Sequence, residues 1–198
     1  MRKIFLLLLI AGMLIPVHEL KAQRETGISY RNRNLFGAGI ALVSFRHGYS
    51  GSRSIGFPPV TAYLEIGLHD QFTAGPFAGY ARHDYFYDGF AQPWDYSWSF
   101  SNAGVRGSLH LTRFLNNTLG LNINENRTDW YVTFILGMEY RQYSTRTAAF
   151  EDQYSNEFHL LWGPMGGVRY FLGNHVAFYF EAGRGNLGIF TAGLSLRL

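Results

Sequence analysis

YVTFILGMEYRQ, residues 131–142, places Val132, Phe134, Leu136, Met138 and Tyr140 at every second position. Tyr131, Thr133, Gly137, Glu139 and Arg141 fall between them, and Ile135 is the one clear exception. A period of two with one greasy face and one polar or small face is the pattern of a half-buried β-strand.

The same alternation recurs along the chain between turn signals. From Pro59 to His69 it sets Val60, Ala62, Leu64, Ile66 and Leu68 against Thr61, Tyr63, Glu65, Gly67 and His69. From Asn102 it sets Ala103, Val105, Leu109 and Leu111 against Asn102, Gly104, Arg106, Ser108 and His110. The stretch from Glu157 to Tyr170 is rougher, with Leu161 and Met165 on the polar side, while 176–181 and 190–198 alternate cleanly. Two weaker segments, Leu35 to Phe45 and Phe72 to Tyr87, carry several glycines and Pro76, and bring the expected strand count to eight. Glycine weakens an ordinary strand, but in a small curved barrel it relieves crowding and permits bending.

The first residues follow a different rule. Arg2 and Lys3 precede an apolar run from Ile4 to Pro16, too short to cross a bilayer as a helix, and Ala22 offers a small residue before Gln23. The expected organisation is a signal peptide over 1–22, cleaved after Ala22, and one β-barrel domain over 23–198. Removing Arg2, Lys3, Lys21 and Glu19 takes Lys+Arg from 17 to 14 and Asp+Glu from 14 to 13, so the net charge falls from +3 to +1. No basic stripe argues for nucleic acid. With Cys 0, disulfides, thiol catalysis and thiolate metal sites are all excluded.

The polar face decides what the greasy face meets. It carries Glu65, Arg106, Glu139, Arg141, Glu157, Arg169, Glu181 and Arg197, charges of both signs with small neighbours. Turned inward in an eight-strand barrel, such charges can pair across the lumen and fill it, leaving the apolar face to lipid. A soluble sandwich or lipocalin-like barrel would turn the same alternation the other way round. Rings toward the strand ends, among them Tyr30, Tyr63, Tyr80, Tyr85, Trp98, Trp130, Tyr140, Trp162 and Tyr170, read as interface anchors and favour lipid. The expected fold is all-β: an antiparallel, eight-stranded, up-and-down transmembrane β-barrel.

At its end the chain reads Thr191-Ala192-Gly193-Leu194-Ser195-Leu196-Arg197-Leu198. Thr191, Gly193, Leu196 and Leu198 resemble the terminal signal by which the barrel-assembly machinery recognises its clients, with Leu198 where many members have an aromatic residue. Upstream, Gly166-Gly167-Val168-Arg169-Tyr170-Phe171, a tight turn, and Phe178 to Gly183 look like the penultimate hairpin of the same group. On these features the mature chain resembles small OmpA-like or OmpW-like barrels of the porin family from the outer membrane of Gram-negative bacteria. The resemblance implies outer-membrane lipid and lipopolysaccharide as surroundings and both termini in the periplasm. It says little about activity, because such barrels serve as adhesins, tethers, narrow pores and lipid enzymes.

That topology puts short periplasmic turns at 69–71 and 173–175 and a longer polar one at 116–128, with outer loops at 46–57, 87–97, 144–156 and 184–186. Barrel enzymes that modify lipid A use a rim His with Ser and an acid. His83, Asp84, Asp88, Ser97, Ser99 and Ser101 supply those residue types, but without the local spacing of such enzymes, so no catalytic residue is assigned. His47 and His159 lie near the outer side, but a pair of loop histidines is a weak metal signal, and neither metal nor cofactor is expected.

Two kinds of function remain. In one, the barrel anchors a non-enzymatic surface protein that meets an envelope partner through its outer loops or periplasmic turn. In the other it is a small channel for ions or apolar solutes. The lumen charges Glu65, Arg106, Glu139, Arg141, Arg169, Glu181 and Arg197 are expected to pair and plug the barrel, because a buried unpaired charge is expensive. In HDYFYDGFAQPWDYSWSF, residues 83–100, Tyr85, Tyr87, Trp98 and Phe100 read as interface anchors. Asp88, Phe90, Trp94, Asp95 and Tyr96 are then in surplus and form the expected patch for a partner.

Overall fold

The structure, a computed structural model, describes residues 29–43, 52–87, 94–147, 150–184 and 187–198. Eight antiparallel strands run β1 (Asn34–Val43), β2 (Ser52–His69), β3 (Phe72–Tyr87), β4 (Trp94–His110), β5 (Thr128–Thr147), β6 (Phe150–Phe171), β7 (Val176–Gly183) and β8 (Phe190–Arg197). Each pairs with its sequence neighbour, and β1 closes on β8 through Leu35↔Arg197 to Val43↔Phe190. The expected signal peptide, His47, Asp88 and Phe90 lie outside the described residues.

Side chains sort by parity as the alternation requires. On β5, Trp130, Val132, Phe134, Leu136 and Met138 are exposed, while Asp129, Tyr131, Thr133, Ile135 and Glu139 are buried inside. The exposed apolar side chains continue round the barrel through Leu64, Ile66, Val105, Trp162, Phe178 and Leu194. In water this surface would aggregate; in hydrocarbon it is the ordinary outside of a transmembrane barrel. The belt has a definite height. From Trp130 to Tyr140 on β5 there are ten residue steps, which at a tilt of about 40° rise roughly 26 Å, close to the apolar band of about 25 Å on such barrels.

Beyond that height the outward face turns polar, at Arg82 on β3, Ser99 and Ser101 on β4, Gln142 on β5 and Asn156 on β6. The strands continue past the change. β2 to β6 are 16 to 22 residues long, against 8 to 10 for β7, β8 and β1. A transmembrane strand needs only about 9–11 residues. The excess stays paired from Ser52↔Phe86 through Tyr87↔Trp94 and Trp94↔Thr147 to Thr147↔Phe150. Much of what the sequence suggests as outer loops at 46–57, 87–97 and 144–156 is therefore a five-stranded extension of the barrel wall.

Ring placement needs a second correction. Tyr80, Trp130, Trp162 and Tyr170 do face outward, and Tyr140 packs on Phe158 with centroids 4.8 Å apart. Tyr30, Tyr63, Tyr85 and Phe100, however, are buried inside, and Trp98 packs against the inner cluster of Ala41, Ala81, Phe100 and Leu187. The inner face of the extension is an aromatic wall: Tyr85 stacks on Tyr96 at 4.7 Å, and Tyr143 lies 5.0 Å from Trp98.

The third correction falls in the long turn. Residues 116–128 are not simply polar loop, because a helix, α1 (Thr112–Leu119), opens this connection and ends at Gly120, whose φ of 65° is the left-handed conformation of a helix C-cap. At the same end of the barrel, Asn32 turns the chain into β1 with φ 61°, which asparagine tolerates better than most residues.

Candidate functional site

The lumen at mid-depth is built from glycine, tyrosine, arginine and carboxylate in successive contact. Directly across the β1–β2 ladder, Tyr63 faces Gly37, and across β5–β6 Tyr131 faces Gly167. Each ring lies on its glycine so closely that a Cβ there would overlap it. On the other side of each ring sits a guanidinium: Arg106 3.9 Å from the Tyr63 centroid, Arg169 3.8 Å from that of Tyr131. These are cation–π distances, and they hold two long side chains flat in a narrow space.

The carboxylates complete the packing. Arg106 Nε donates to Glu65 Oε1 at 2.6 Å and Arg106 Nη2 to Glu181 Oε1 at 2.6 Å. Ser108 donates to Glu65 Oε1 at 2.6 Å and Thr73 to Glu65 Oε2 at 2.7 Å, while Tyr131 donates to Glu181 Oε1 at 2.9 Å. Arg169 reaches Asp129 Oδ2 at 3.0 Å and Glu65 Oε2 at 3.4 Å. Glu65 thus accepts from four groups on β3, β4 and β6, which satisfies both of its oxygens. Charge-assisted bonds of this kind offset the desolvation that burying five charges costs.

Asp129 also meets His110, whose Nδ1 lies 2.9 Å from both of its oxygens, and His110 Nε2 lies 3.2 Å from Thr73 Oγ1. A hydroxyl, an imidazole and a carboxylate in that order are the parts of a nucleophilic triad. The hydrogen-bond accounting gives them another job. Thr73 has one proton, and it goes to Glu65 at 2.7 Å, so the hydroxyl ties β3 to the carboxylate rather than standing as a nucleophile on His110. The imidazole instead links Thr73 on β3 to Asp129 on β5 at the turn end of the lumen.

Tyr30 covers this end. Its ring stacks on His110 at 3.6 Å and 13°, its N–H donates to Asp70 O at 3.1 Å, and Ser29 Oγ donates to Asp70 Oδ1 at 2.6 Å. That hydroxyl holds the Asp70 carboxyl below its ordinary value. The cavity between Tyr30, His110, Asp129 and Arg113 measures about 20 Å³, room for a single water and not for a substrate. On the other side of the charges, Tyr63, Phe77, Ile135, Met165 and Tyr179 pack with Leu161 across the lumen.

The seven charges expected to share the lumen are distributed over three places. Glu65, Arg106, Arg169 and Glu181 form the central cluster. Glu139 and Arg141 pair with each other at 2.7 Å, farther out, where Glu157 and His159 make a second pair at 2.9 Å that is open to solvent. Arg197 is in neither group: its Nη2 donates to Asn174 O at 2.7 Å and its guanidinium lies over Phe171, so it ties β8 to the β6–β7 turn. Sequence reading missed Asp129 and His110 as members. Asp129 shares its parity with Tyr131 and Glu139, but an aspartate at a strand start reads as a turn residue.

The other expected sites resolve by parity as well. His83 is buried inside the barrel, whereas Ser99 points outward to Gln142 at 3.2 Å and Ser101 is exposed. The histidine and these serines are on opposite faces of the wall. Of the expected partner patch, Trp94, Asp95 and Tyr96 belong to β4, and the Tyr96 ring is buried against Tyr85 rather than offered to a partner. Thr191 faces inward on the last strand and Leu196 and Leu198 outward, and Leu198 exchanges backbone bonds with Asn34 at the barrel seam.

No family model matches the chain, and no curated protein matches it by sequence. Solved structures do match. Ail, the attachment invasion locus protein of Yersinia pestis, in complex with the heparin analogue sucrose octasulfate, aligns with a TM-score of 0.50 and 8% identity, over 85% of this chain and 99% of that one. The N-terminal β-barrel domain of Pseudomonas aeruginosa OprF aligns with a TM-score of 0.47 and 10% identity over 85% and 98%, and Pseudomonas aeruginosa OprG with 0.46 and 9% over 87% and 98%. Identities this low speak for fold alone, and in fold this chain is similar to the small eight-stranded barrels of bacterial outer membranes.

Proposed function

We propose that this chain is a bacterial outer-membrane protein without catalytic activity, a barrel that anchors an outer extension to which an envelope or extracellular partner binds. The observation that carries this reading is the division of the molecule by height. A lipid-facing belt of roughly 25 Å surrounds a lumen closed by the Glu65–Arg106–Arg169–Glu181 cluster and the Ile135–Met165 layer. Above it, five strands continue where no membrane is left to cross. Strands that long are unnecessary for anchoring, and a rigid paired wall is a better platform than free loops for presenting a surface.

In this reading the first 22 residues direct export, the short turns face the periplasm, and Thr191, Gly193, Leu196 and Leu198 of the last strand carry the signal read during barrel assembly. Lipid and lipopolysaccharide surround the belt. The solvent-facing side of the extension, with Arg82, Asp84, Ser99 and Gln142, is the partner surface.

The test is photo-cross-linking in intact outer membranes, with the reactive group at Ser99 or Gln142 and, as a control, at Phe134 in the belt. A discrete protein adduct at the first two positions and none at the third is the expected result. Equal labelling at all three positions, or lipid adducts only, would overturn the partner role.

A further inference from the structure

α1 is explained neither by the lumen nor by the outer extension. Its eight residues make about 12 Å of helix, and one side is committed to the end of the barrel. Thr112 Oγ1 accepts from Trp130 N–H at 2.7 Å. Asn116 Nδ2 donates to Ile123 O and Glu125 Oε1, each at 2.9 Å, and Asn116 Oδ1 accepts from Ile123 N–H. Arg113, the one charged residue of the helix, faces Glu125 at 3.9 Å.

The other side is apolar: Leu111 and Leu115 are half-buried, and the residues flanking them are uncovered among the described residues. Leu111, Leu115 and Leu119 recur at four-residue spacing with Phe114 beside them, and Leu121 follows the Gly120 cap. Phe114 is 53% exposed, Leu119 60% and Leu121 45%. A water-facing turn has no use for this. The helix nevertheless begins three residues beyond Leu109 and is pinned at its base by Leu111 N–H to Trp130 O at 2.6 Å. Leu109 and Trp130 are both outward members of the lipid belt, so the apolar side of α1 begins where the belt ends.

We propose that α1 is an in-plane membrane helix. Its Phe114, Leu119 and Leu121 side is immersed in the leaflet at the turn end of the barrel, and its Thr112, Arg113 and Asn116 side faces the barrel mouth and water. A helix with a narrow apolar face, one cation and low net hydrophobicity suits the boundary between headgroups and acyl chains. Continuity with the belt identifies the occupant as lipid rather than protein. Pinned there, α1 fixes the depth of the barrel at the edge of β4 and β5. The proposal rests on the belt lying in a bilayer, and its test separates the two.

The chain has no cysteine, so single nitroxide labels can be placed without background. Labels at Phe114→Cys and Leu119→Cys, at Asn117→Cys and Asn126→Cys, and at Phe134→Cys in the belt are compared in the refolded barrel in phosphatidylcholine–phosphatidylglycerol vesicles. All five positions are exposed, and Asn117 and Asn126 are the polar positions of the same connection. Collision with oxygen, which concentrates in lipid, is measured against collision with a water-soluble nickel chelate. The proposal expects a several-fold higher oxygen-to-nickel ratio at positions 114 and 119 than at 117 and 126, approaching that at 134. Nickel access at 114 and 119 equal to that at 117, with 134 still protected, would overturn the in-plane helix and leave the barrel intact. Nickel access at 134 would overturn the membrane reading along with it.

Discussion

Arg106 on β4 and Glu65 on β2 meet with Nε 2.6 Å from Oε1, although β3 lies between their strands in the wall. The intervening strand sends Thr73 to the same carboxylate, and from the far side Arg169 on β6 reaches it too. One buried acid therefore ties four strands across the lumen. Replacing Arg106 by Ala leaves Glu65 and Glu181 without their main counter-charge, and breaking a buried pair from one side costs about 3–5 kcal/mol. Unfolding in detergent should show that loss, whereas Arg82→Ala, in the exposed pair with Asp84, should cost under about 1 kcal/mol. Equal effects would mean that the central cluster is not what holds the lumen together.

Gly166 and Gly167 are neighbours on β6 with opposite prospects. A methyl group on Gly166 would meet nothing within 4 Å, while one on Gly167 would overlap the Tyr131 ring that supports Arg169. Gly166→Ala should leave the midpoint of unfolding unchanged within error. Gly167→Ala should lower stability by about 1–3 kcal/mol, the cost of overpacking a filled interior. A tolerated Gly167→Ala would show that the tyrosine has room to move and that the stack of glycine, ring and guanidinium is looser than described.

The Ser29–Asp70 bond gives a pH dependence with a definite sign. Because the hydroxyl lowers the carboxyl pKa in the folded chain, the bond stabilises above the unfolded value of about 4 and is lost as pH falls through the lower folded one. Asp70 is solvent-exposed in large part, so the effect is small and local. Wild type and Ser29→Ala should differ in proteolysis near residue 30 at neutral pH and converge in acid. A difference that grew as pH fell would contradict the assignment.

Much of the fold is legible in the alternation itself, because a residue's parity fixes its face whatever its type. Val132 to Tyr140 and Leu64 to Leu68 placed themselves in this way, and so did Glu65, Arg106 and Arg169 inside. Parity was less easy to use where residue type does not discriminate. A tyrosine suits either a membrane girdle or a lumen, so Tyr63 and Tyr85 read as anchors, although Tyr63 alternates in step with Glu65 and Thr61. The outer extension was hidden for a related reason. Past Arg82 and Gln142 the outward side is polar and the inward side aromatic, which erases the greasy-outside contrast and leaves something that resembles loop. In α1 the period changes from two to nearly four over a single turn of the chain, and Leu111, Leu115 and Leu119 followed by Gly120 were the available signal. The association of His110 with Asp129 joins strands through a register that no local pattern contains.

Closure of the lumen is the claim on which the anchor reading depends, and single-channel recording in planar bilayers tests it most directly. The purified, refolded barrel should give no discrete conductance steps. Arg106→Ala together with Arg169→Ala, if the doubly substituted barrel still inserts, should introduce small ones by emptying the space beside Tyr63 and Tyr131. Regular, voltage-stable conductance steps from the unmodified chain would contradict the account and identify it as a pore.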